Sequence, residues 1–118
     1  MRARAIYEHL AAPGSTIYDF SCGFGGRMLG CLANPYNYTY IGCEPNTETF
    51  RHLNELGQYI DAATGQPGRY KLYCACSEDL RLEPESVDLA FSCPPFFALE
   101  RYTNEPTQCY IKFPQYDK

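Results

Sequence analysis

Four short runs of strand-forming residues, separated by helix-like segments, constrain the fold of this chain more than any other feature. The runs are Thr16–Phe20, Tyr38–Cys43, Tyr70–Cys76 and Val87–Ser92. They are rich in aromatic and β-branched residues, which favour extended backbone. Alternating elements of this kind form an open, mostly parallel sheet flanked by helices, with right-handed crossovers. The predicted fold class is therefore α/β.

Apolar residues at helical spacing predict three helices between these runs. The predicted helices are Arg2–Ala11, Arg27–Ala33 and a third from Asn46 or Thr47 to about Ile60. Residues Ser77–Ser86 leave room for only a short crossover before the fourth strand. The fourth run is almost continuously apolar, which predicts a strand buried on both faces of the sheet.

Length and composition limit the class of protein. With 118 residues the chain forms one small domain or part of a larger one, and a hydrophobic fraction of 45% excludes a disordered chain. No apolar run is long enough for a transmembrane helix and no secretory signal is visible, so we expect a cytoplasmic protein without membrane contact. The net charge of -4 argues against a nucleic-acid interaction that depends on bulk charge alone.

Seven cysteines are an odd number and include no Cys-x-x-Cys pair. Without a secretory signal we expect free thiols, most of them small buried hydrophobic residues, rather than a disulfide framework. No metal is expected. The alternative is a metal site built from Cys74, Cys76 and either His52 or His9.

Three unusual peptides each follow a predicted strand. They are Ser21–Gly26, Glu44–Pro45 and Cys93–Phe96. In open parallel sheets, ligands bind beyond the carboxyl ends of the strands. We therefore expect these peptides to meet in one binding site.

The first two peptides indicate what kind of ligand this is. Gly23 and Gly25 allow a ligand to approach the backbone at a helix start, but Met28 stands where a dinucleotide fingerprint requires glycine, and no Gly-Lys-Ser/Thr is present. The Asp19 carboxylate would repel a phosphate group and would favour a ligand that carries a positively charged amine or sulfonium. Glu44 can accept both hydroxyls of a ribose, or it is simply a solvated acid at a helix start.

The peptide Asp19-Phe-Ser-Cys-Gly-Phe-Gly-Gly26 resembles motif I of class I S-adenosylmethionine-dependent methyltransferases. The resemblance implies a Rossmann-like sheet, of which this chain holds about four of seven strands. It also implies S-adenosylmethionine as the cofactor. Ser77 and Glu78, which resemble the segment at the adenine edge only loosely, complete the implied cofactor-binding residues: Asp19, Ser21, Cys22, Gly23, Phe24, Gly25, Glu44, Pro45, Ser77 and Glu78.

The peptide Cys93-Pro94-Pro95-Phe96 is similar to motif IV of amino-methyltransferases, which methylate exocyclic amines. Two prolines directly after a strand make a rigid loop with outward carbonyls. The resemblance implies that Cys93 and the Pro94 carbonyl accept hydrogen bonds from the target amine and that Phe96 stacks on the base. Most relatives have Asp, Asn or Ser at the first position, and a thiol is a weak acceptor. The implied target is DNA adenine-N6 or cytosine-N4.

Several alternatives remain open from the sequence. They are a covalent role for Cys93, an inactive cofactor-binding fragment or subunit, and a methyltransferase for RNA or a protein amide. The resemblance covers about residues 1–110 and only the first half of the family's domain, so residues 1–118 are a partial domain and we expect self-association or a completing partner chain. Residues 98–118 are expected to be irregular. They lie near the target nucleotide, where Arg101, Lys112 and the tyrosines contact phosphate or bases, or they form an ordinary solvated tail.

Overall fold

The structure is a computed structural model that describes residues 2–96 and 99–115. Its strands are β1 (Thr16–Asp19), β2 (Thr39–Cys43), β3 (Tyr70–Tyr73) and β4 (Leu89–Ala90). Its helices are α1 (Arg2–Leu10), α2 (Gly26–Leu32), α3 (Thr47–Thr64) and α4 (Cys109–Lys112). All strand pairs are parallel and the strand order is β3-β2-β1-β4. The predicted open parallel α/β sheet is confirmed.

The strand register aligns the carboxyl ends of the sheet. Asp19 at the end of β1 lies opposite Gly42, and Gly42 in turn lies opposite Leu72 of β3. One residue further along, Cys43 pairs with Tyr73. The peptides that leave β1, β2 and β3 therefore start at one edge of the sheet, where ligands of such sheets bind.

The hydrophobic core is rich in tyrosine and lies between the helices and one face of the sheet. Tyr7 of α1, Ile17 of β1 and Tyr40 of β2 are fully buried. Tyr18, which follows Ile17 in β1 and points to the other face of the sheet, is only half-buried, as expected when one face is covered. A buried phenol needs a hydrogen-bond partner. The hydroxyl of Tyr38 donates to the carbonyls of Tyr7 (3.0 Å) and Ala11 (2.9 Å), which ties the end of α1 to β2.

Helix α3 begins at the predicted signal and runs one turn beyond the predicted end. Asn46 caps it, since its side-chain oxygen accepts from the amides of Glu48 (3.1 Å) and Thr49 (3.3 Å). The helix ends only at Gly65, whose φ of 66° is left-handed. Where the helix crosses β3, Gly57 is required, because a Cβ there would lie 2.3 Å from the ring of Tyr70.

Strand β4 differs from its prediction. It is two residues long, with Leu89 half-buried and Ala90 exposed, so the predicted burial on both faces is wrong. The reason is its position: among the described residues β4 pairs only with β1 and stands at the edge of the sheet. A continuous apolar pattern indicates a central strand, and this strand has one neighbour instead of two.

The C-terminal segment, defined here as residues 99–113, folds back over the carboxyl edge of the sheet. The sequence predicts that it is irregular throughout, but it contains the short helix α4, and residues 98 and 116–118 of the predicted irregular stretch lie outside the described residues. Glu105 accepts from the amide (3.2 Å) and hydroxyl (2.8 Å) of Thr47 at the start of α3. In residues 2–96 and 99–115, no helix is long and apolar enough to cross a membrane.

Candidate functional site

A cavity of about 320 Å³ lies at the carboxyl edge of the sheet and brings together the peptides that follow all four strands. Most of the residues predicted from the sequence line it. They are Ser21, Gly23, Phe24, Glu44, Pro45, Ser77, Glu78, Cys93, Pro94 and Pro95. The predicted meeting of separate strand-end peptides is therefore present in the fold.

The cavity has one wall that sequence reasoning missed. The C-terminal segment contributes Tyr102, Thr107, Gln108, Cys109 and Phe113. Neighbours of predicted residues complete the lining: Phe20, Asn46, Thr49 and Cys76. Phe20 and Asn46 could have been found from their adjacency to the strand-end peptides. The sequence places the tyrosines of the C-terminal segment near the acceptor, but no local pattern assigns this segment to the cofactor cavity, because long-range contacts bring it there.

Two backbone amides hold the carboxylate of Glu44 in position in this cavity. One carboxylate oxygen accepts from the Gly23 amide (3.1 Å) and the other from the Asn46 amide (3.0 Å). Burial raises the pKa of Glu44, and the two amide hydrogen bonds oppose that rise. Each oxygen retains a further lone pair, so the carboxylate can still accept two hydroxyls.

Asp19 has different neighbours from those expected of a ligand-binding acid. It is fully buried, and Arg27 Nε donates to its Oδ2 at 2.8 Å. The hydroxyls of Tyr40 (2.8 Å) and Ser92 (2.6 Å) and the Ser21 amide (3.2 Å) complete its hydrogen bonds. Asp19 is not among the described residues that line the cavity. Its charge is balanced inside the protein, where it joins β1, α2, β2 and the chain beyond β4.

The glycine loop is held in an unusual backbone conformation. Gly23 (φ 61°) and Gly25 (φ 95°) are both left-handed, which favours glycine. A Cβ on Gly25 would also lie 2.6 Å from Leu56 of α3. Gly25 therefore faces the core, and Cys22 is buried too, with its amide donating to the Cys43 carbonyl (3.0 Å). Gly25 and Cys22 thus lie on the core side of the loop and support its conformation.

The double-proline loop reaches the cavity with three of its four predicted residues. Cys93 is an exposed thiol, and Pro94 and Pro95 lie beside it in the lining. Phe96 is 65% exposed and is not one of the described lining residues. Its predicted role as the ring that stacks on the base has no support from this arrangement.

The cysteines are free thiols, and four of the seven are buried, as predicted. The predicted metal alternative, with a histidine, does not form within the described ranges. Instead Cys76 lies near Glu78 and Asp79. Lys112 Nζ binds both of these carboxylates, at 2.9 and 2.5 Å. A cation of the C-terminal segment thus already neutralises this cluster.

Comparisons with known proteins address the fold. No protein-family model matches the chain, and a search of curated proteins gives no match. Among solved structures, the cyclopropane synthase MmaA2 of Mycobacterium tuberculosis matches 84% of the chain with a TM-score of 0.63 and 24% identity. The mycolic acid cyclopropane synthase CmaA1 matches 86% with a TM-score of 0.63 and 25% identity. A putative rRNA-methylase of Clostridium thermocellum matches 66% with a TM-score of 0.53 and 13% identity.

The chain has a methyltransferase fold. The match spans only 31% of the length of MmaA2 and 36% of that of CmaA1, so it corresponds to about a third of these proteins. Another CmaA1 structure, solved in complex with SAH and CTAB, matches 89% of this chain with a TM-score of 0.61 and 23% identity. In the methyltransferase fold described here, the cavity at the carboxyl edge is the candidate cofactor site.

Proposed function

We propose that this chain is the cofactor-binding part of an S-adenosylmethionine-dependent methyltransferase that acts on an exocyclic amine of a nucleobase. The observation that carries the proposal is the single cavity in which the glycine loop, Glu44–Pro45, Ser77–Glu78 and Cys93–Pro95 meet. The resemblance of the first and last of these peptides to motifs I and IV assigns them to cofactor and acceptor. The fold of the solved structures supports the methyltransferase part of this proposal and not the choice of acceptor.

The lining residues fit the proposed cofactor chemically. The Glu44 carboxylate retains acceptor capacity for the two ribose hydroxyls, and Pro45 offers an apolar surface for adenine. Ser77 and Glu78 supply polar groups for the adenine edge, and the left-handed Gly23 lets backbone approach the methionine part. When bound, S-adenosylmethionine supplies a sulfonium methyl group whose carbon–sulfur bond breaks as a carbon–nitrogen bond forms.

The double-proline loop has the chemistry to orient an amine. An exocyclic amine is a poor nucleophile because its lone pair is delocalised into the ring. Acceptors for its N–H groups, here the Pro94 carbonyl and Cys93, restore lone-pair density and direct it at the methyl carbon. DNA adenine-N6 or cytosine-N4 is the proposed target, and RNA bases and protein amides are the alternative acceptors with the same planar amine.

An inactive cofactor-binding fragment or subunit is the second candidate. The observation that favours it is length, since the chain spans about a third of the structures that it matches. This candidate shares the cofactor site and lacks turnover. Binding and catalysis must therefore be measured separately.

Calorimetric titration with S-adenosylmethionine tests the cofactor assignment. We expect the wild-type chain to bind and Glu44→Ala to weaken binding roughly 10- to 100-fold, because two charge-assisted hydrogen bonds are lost. Glu55→Ala is the matched control, since Glu55 lies on the exposed surface of α3, where it pairs with Arg51, and does not line the cavity. Absence of binding by the wild-type chain would overturn the proposed function.

Transfer of a labelled methyl group to a panel of DNA, RNA and protein acceptors separates the enzyme from the inactive module. Label in DNA supports the proposed target, and label in RNA or protein replaces it by the corresponding alternative. Binding of the cofactor without transfer to any acceptor supports the inactive fragment or subunit. Cys93→Ser should retain transfer, since a hydroxyl is a better acceptor than a thiol, whereas loss of all activity would favour the covalent role.

A further inference from the structure

A second cavity of about 450 Å³ adjoins the first. Arg27 and Glu100 are among the residues that line it alone. Both cavities are lined by Gly23, Phe24, Cys93 and Tyr102. Cys93 of the double-proline loop therefore lies at the junction between the candidate cofactor site and a second space that the proposed function has not used.

Two aromatic rings form part of the wall between these cavities. Phe24 is 82% exposed and Tyr102 is 53% exposed, and their ring centroids lie 6.0 Å apart with the planes at 75°. An edge-to-face pair of this kind leaves ring faces open. Burial of large apolar side chains lowers the free energy. An exposed pair of aromatic rings beside a cavity is therefore a surface that a ligand can cover.

The backbone and one hydrogen bond hold the two rings in place. Phe24 stands between the left-handed residues Gly23 and Gly25, which direct it away from the core. The hydroxyl of Tyr102 donates to Glu100 at 2.5 Å, and this hydrogen bond raises the pKa of Tyr102 to about 12. The ring of Tyr102 is thus neutral and oriented, as a stacking surface requires.

We propose that Phe24 and Tyr102 form the surface on which the acceptor base stacks and that the base enters through the second cavity. This inference rests on the proposed function and adds that the acceptor is a planar π-system. Phe96, the ring expected to stack on the basis of motif resemblance, lines neither cavity among the described residues. Base–aromatic stacking depends on the ring and not on apolar volume alone.

A fluorescence titration tests the stacking surface. The probe is a single-stranded oligonucleotide with one 2-aminopurine, titrated with the full chain in the presence of S-adenosylhomocysteine. The chain has no tryptophan, so the probe can be excited without background from the protein. We expect quenching with the wild-type chain and an affinity roughly 5- to 100-fold lower for Phe24→Leu and Tyr102→Leu, which keep apolar bulk and lose the ring.

Conservative and matched variants separate stacking from structural damage. Tyr102→Phe keeps the ring and should quench like the wild type, as should Phe24→Tyr. Tyr59→Leu removes an equally exposed ring (72%) that lines neither cavity, and it should have no effect. Phe24 and Tyr102 also line the candidate cofactor cavity, so each titration is run at an S-adenosylhomocysteine concentration that calorimetry shows to saturate that variant. Tyr59→Leu, which lines neither cavity, should bind S-adenosylhomocysteine like the wild type.

The outcomes distinguish this inference from the proposed function. Quenching that is lost only with the two rings supports the inference. Equal quenching by the wild type, Phe24→Leu and Tyr59→Leu, or no quenching by any of them, overturns it while cofactor binding leaves the proposed function standing. If S-adenosylhomocysteine does not bind the wild-type chain, the proposed function fails and the inference fails with it.

Discussion

At the scale of single residues, two acids that the sequence presents alike have different structural roles. Glu44 lines the cavity and binds two backbone amides, whereas Asp19 is buried and bound by Arg27, Tyr40 and Ser92. The spacing from the glycine loop located both residues at strand ends. It could not show that Arg27, in the first turn of α2, neutralises Asp19, because that contact depends on how the helix packs. The cavity therefore takes its negative charge from Glu44 rather than from Asp19, since Lys112 pairs with Glu78, the other acid of the lining.

Asp19→Asn tests the internal role of this carboxylate. Replacing it leaves the Arg27 charge without its partner, and breaking a buried pair in this way costs roughly 3–5 kcal/mol. We expect a value near the lower end, about 3 kcal/mol, because the side chain of Arg27 is 21% exposed. The free energies of unfolding of the wild type and of the variant, determined in urea, give this difference. Glu55→Gln, in the exposed pair with Arg51, is the control and should cost less than about 0.5 kcal/mol.

Glu44 should make cofactor binding dependent on pH. Burial raises its pKa above the ordinary 4.5, and the nearby charges of Asp19 and Glu105 act in the same direction. Binding of ribose hydroxyls needs the ionised form, so affinity should fall with a midpoint above pH 4.5 as the pH is lowered. The contribution of Glu44 to folding stability depends on pH in the opposite direction. Because its pKa is raised in the folded state, it stabilises the folded state at low pH, and this stabilisation is lost as the pH rises through the folded-state pKa.

Calorimetric titrations across this pH range check the prediction. Glu44→Gln cannot titrate, so its weaker binding should change little over the same range. An identical pH profile for the wild type and this variant would assign the effect to another group.

At the scale of elements, the sequence predicts the helices and the first three strands well and the fourth strand and the C-terminal segment poorly. The helices α1 to α3 and the first three strands follow from local signals, such as the Asn46 cap and the strand-forming residues of β1. The length and burial of β4 depend on its neighbours in the sheet, which a local pattern does not contain. The C-terminal wall depends on distant contacts, among them the Glu105–Thr47 hydrogen bonds.

The contact of α3 with β3 gives a prediction at this scale. Gly57→Ala places a methyl group 2.3 Å from the Tyr70 ring, so either the ring or the helix must shift. Overpacking of this kind costs roughly 1–3 kcal/mol, against a gain of up to about 1 kcal/mol in helix propensity. Gly26→Ala, at the start of α2 with open space around its Cβ, is the control and should not destabilise. Urea unfolding of both variants checks the prediction, and a stabilised Gly57→Ala would contradict it.

At the scale of the whole molecule, β4 stands at an edge of the sheet and pairs only with β1 among residues 2–96 and 99–115. Ala90 of this strand is exposed, and Leu99 nearby in sequence is 90% exposed. An unpaired edge strand can pair with another chain. We therefore propose that a second copy or a partner chain completes the sheet.

Sedimentation velocity tests this proposal on the chain alone. We expect a species heavier than the 13.4 kDa monomer at tens of micromolar protein, because unpaired strand edges associate. Ala90→Lys should shift the distribution toward the monomer by charging the edge, whereas Tyr59→Lys on α3 should not. A well-folded monomer at all concentrations would contradict self-association and leave a different partner chain as the proposal.

The C-terminal wall of the cofactor cavity has a consequence for how the chain is made. The strand-end peptides that form the other walls are all translated before residue 99, and Phe113 closes the lining at the far end of the described chain. A nascent chain that stops short of Glu105 lacks most of this wall, and Thr47 at the start of α3 lacks its two hydrogen bonds to Glu105. The lining of the cavity is therefore complete only after Phe113 has been synthesised and has left the ribosome.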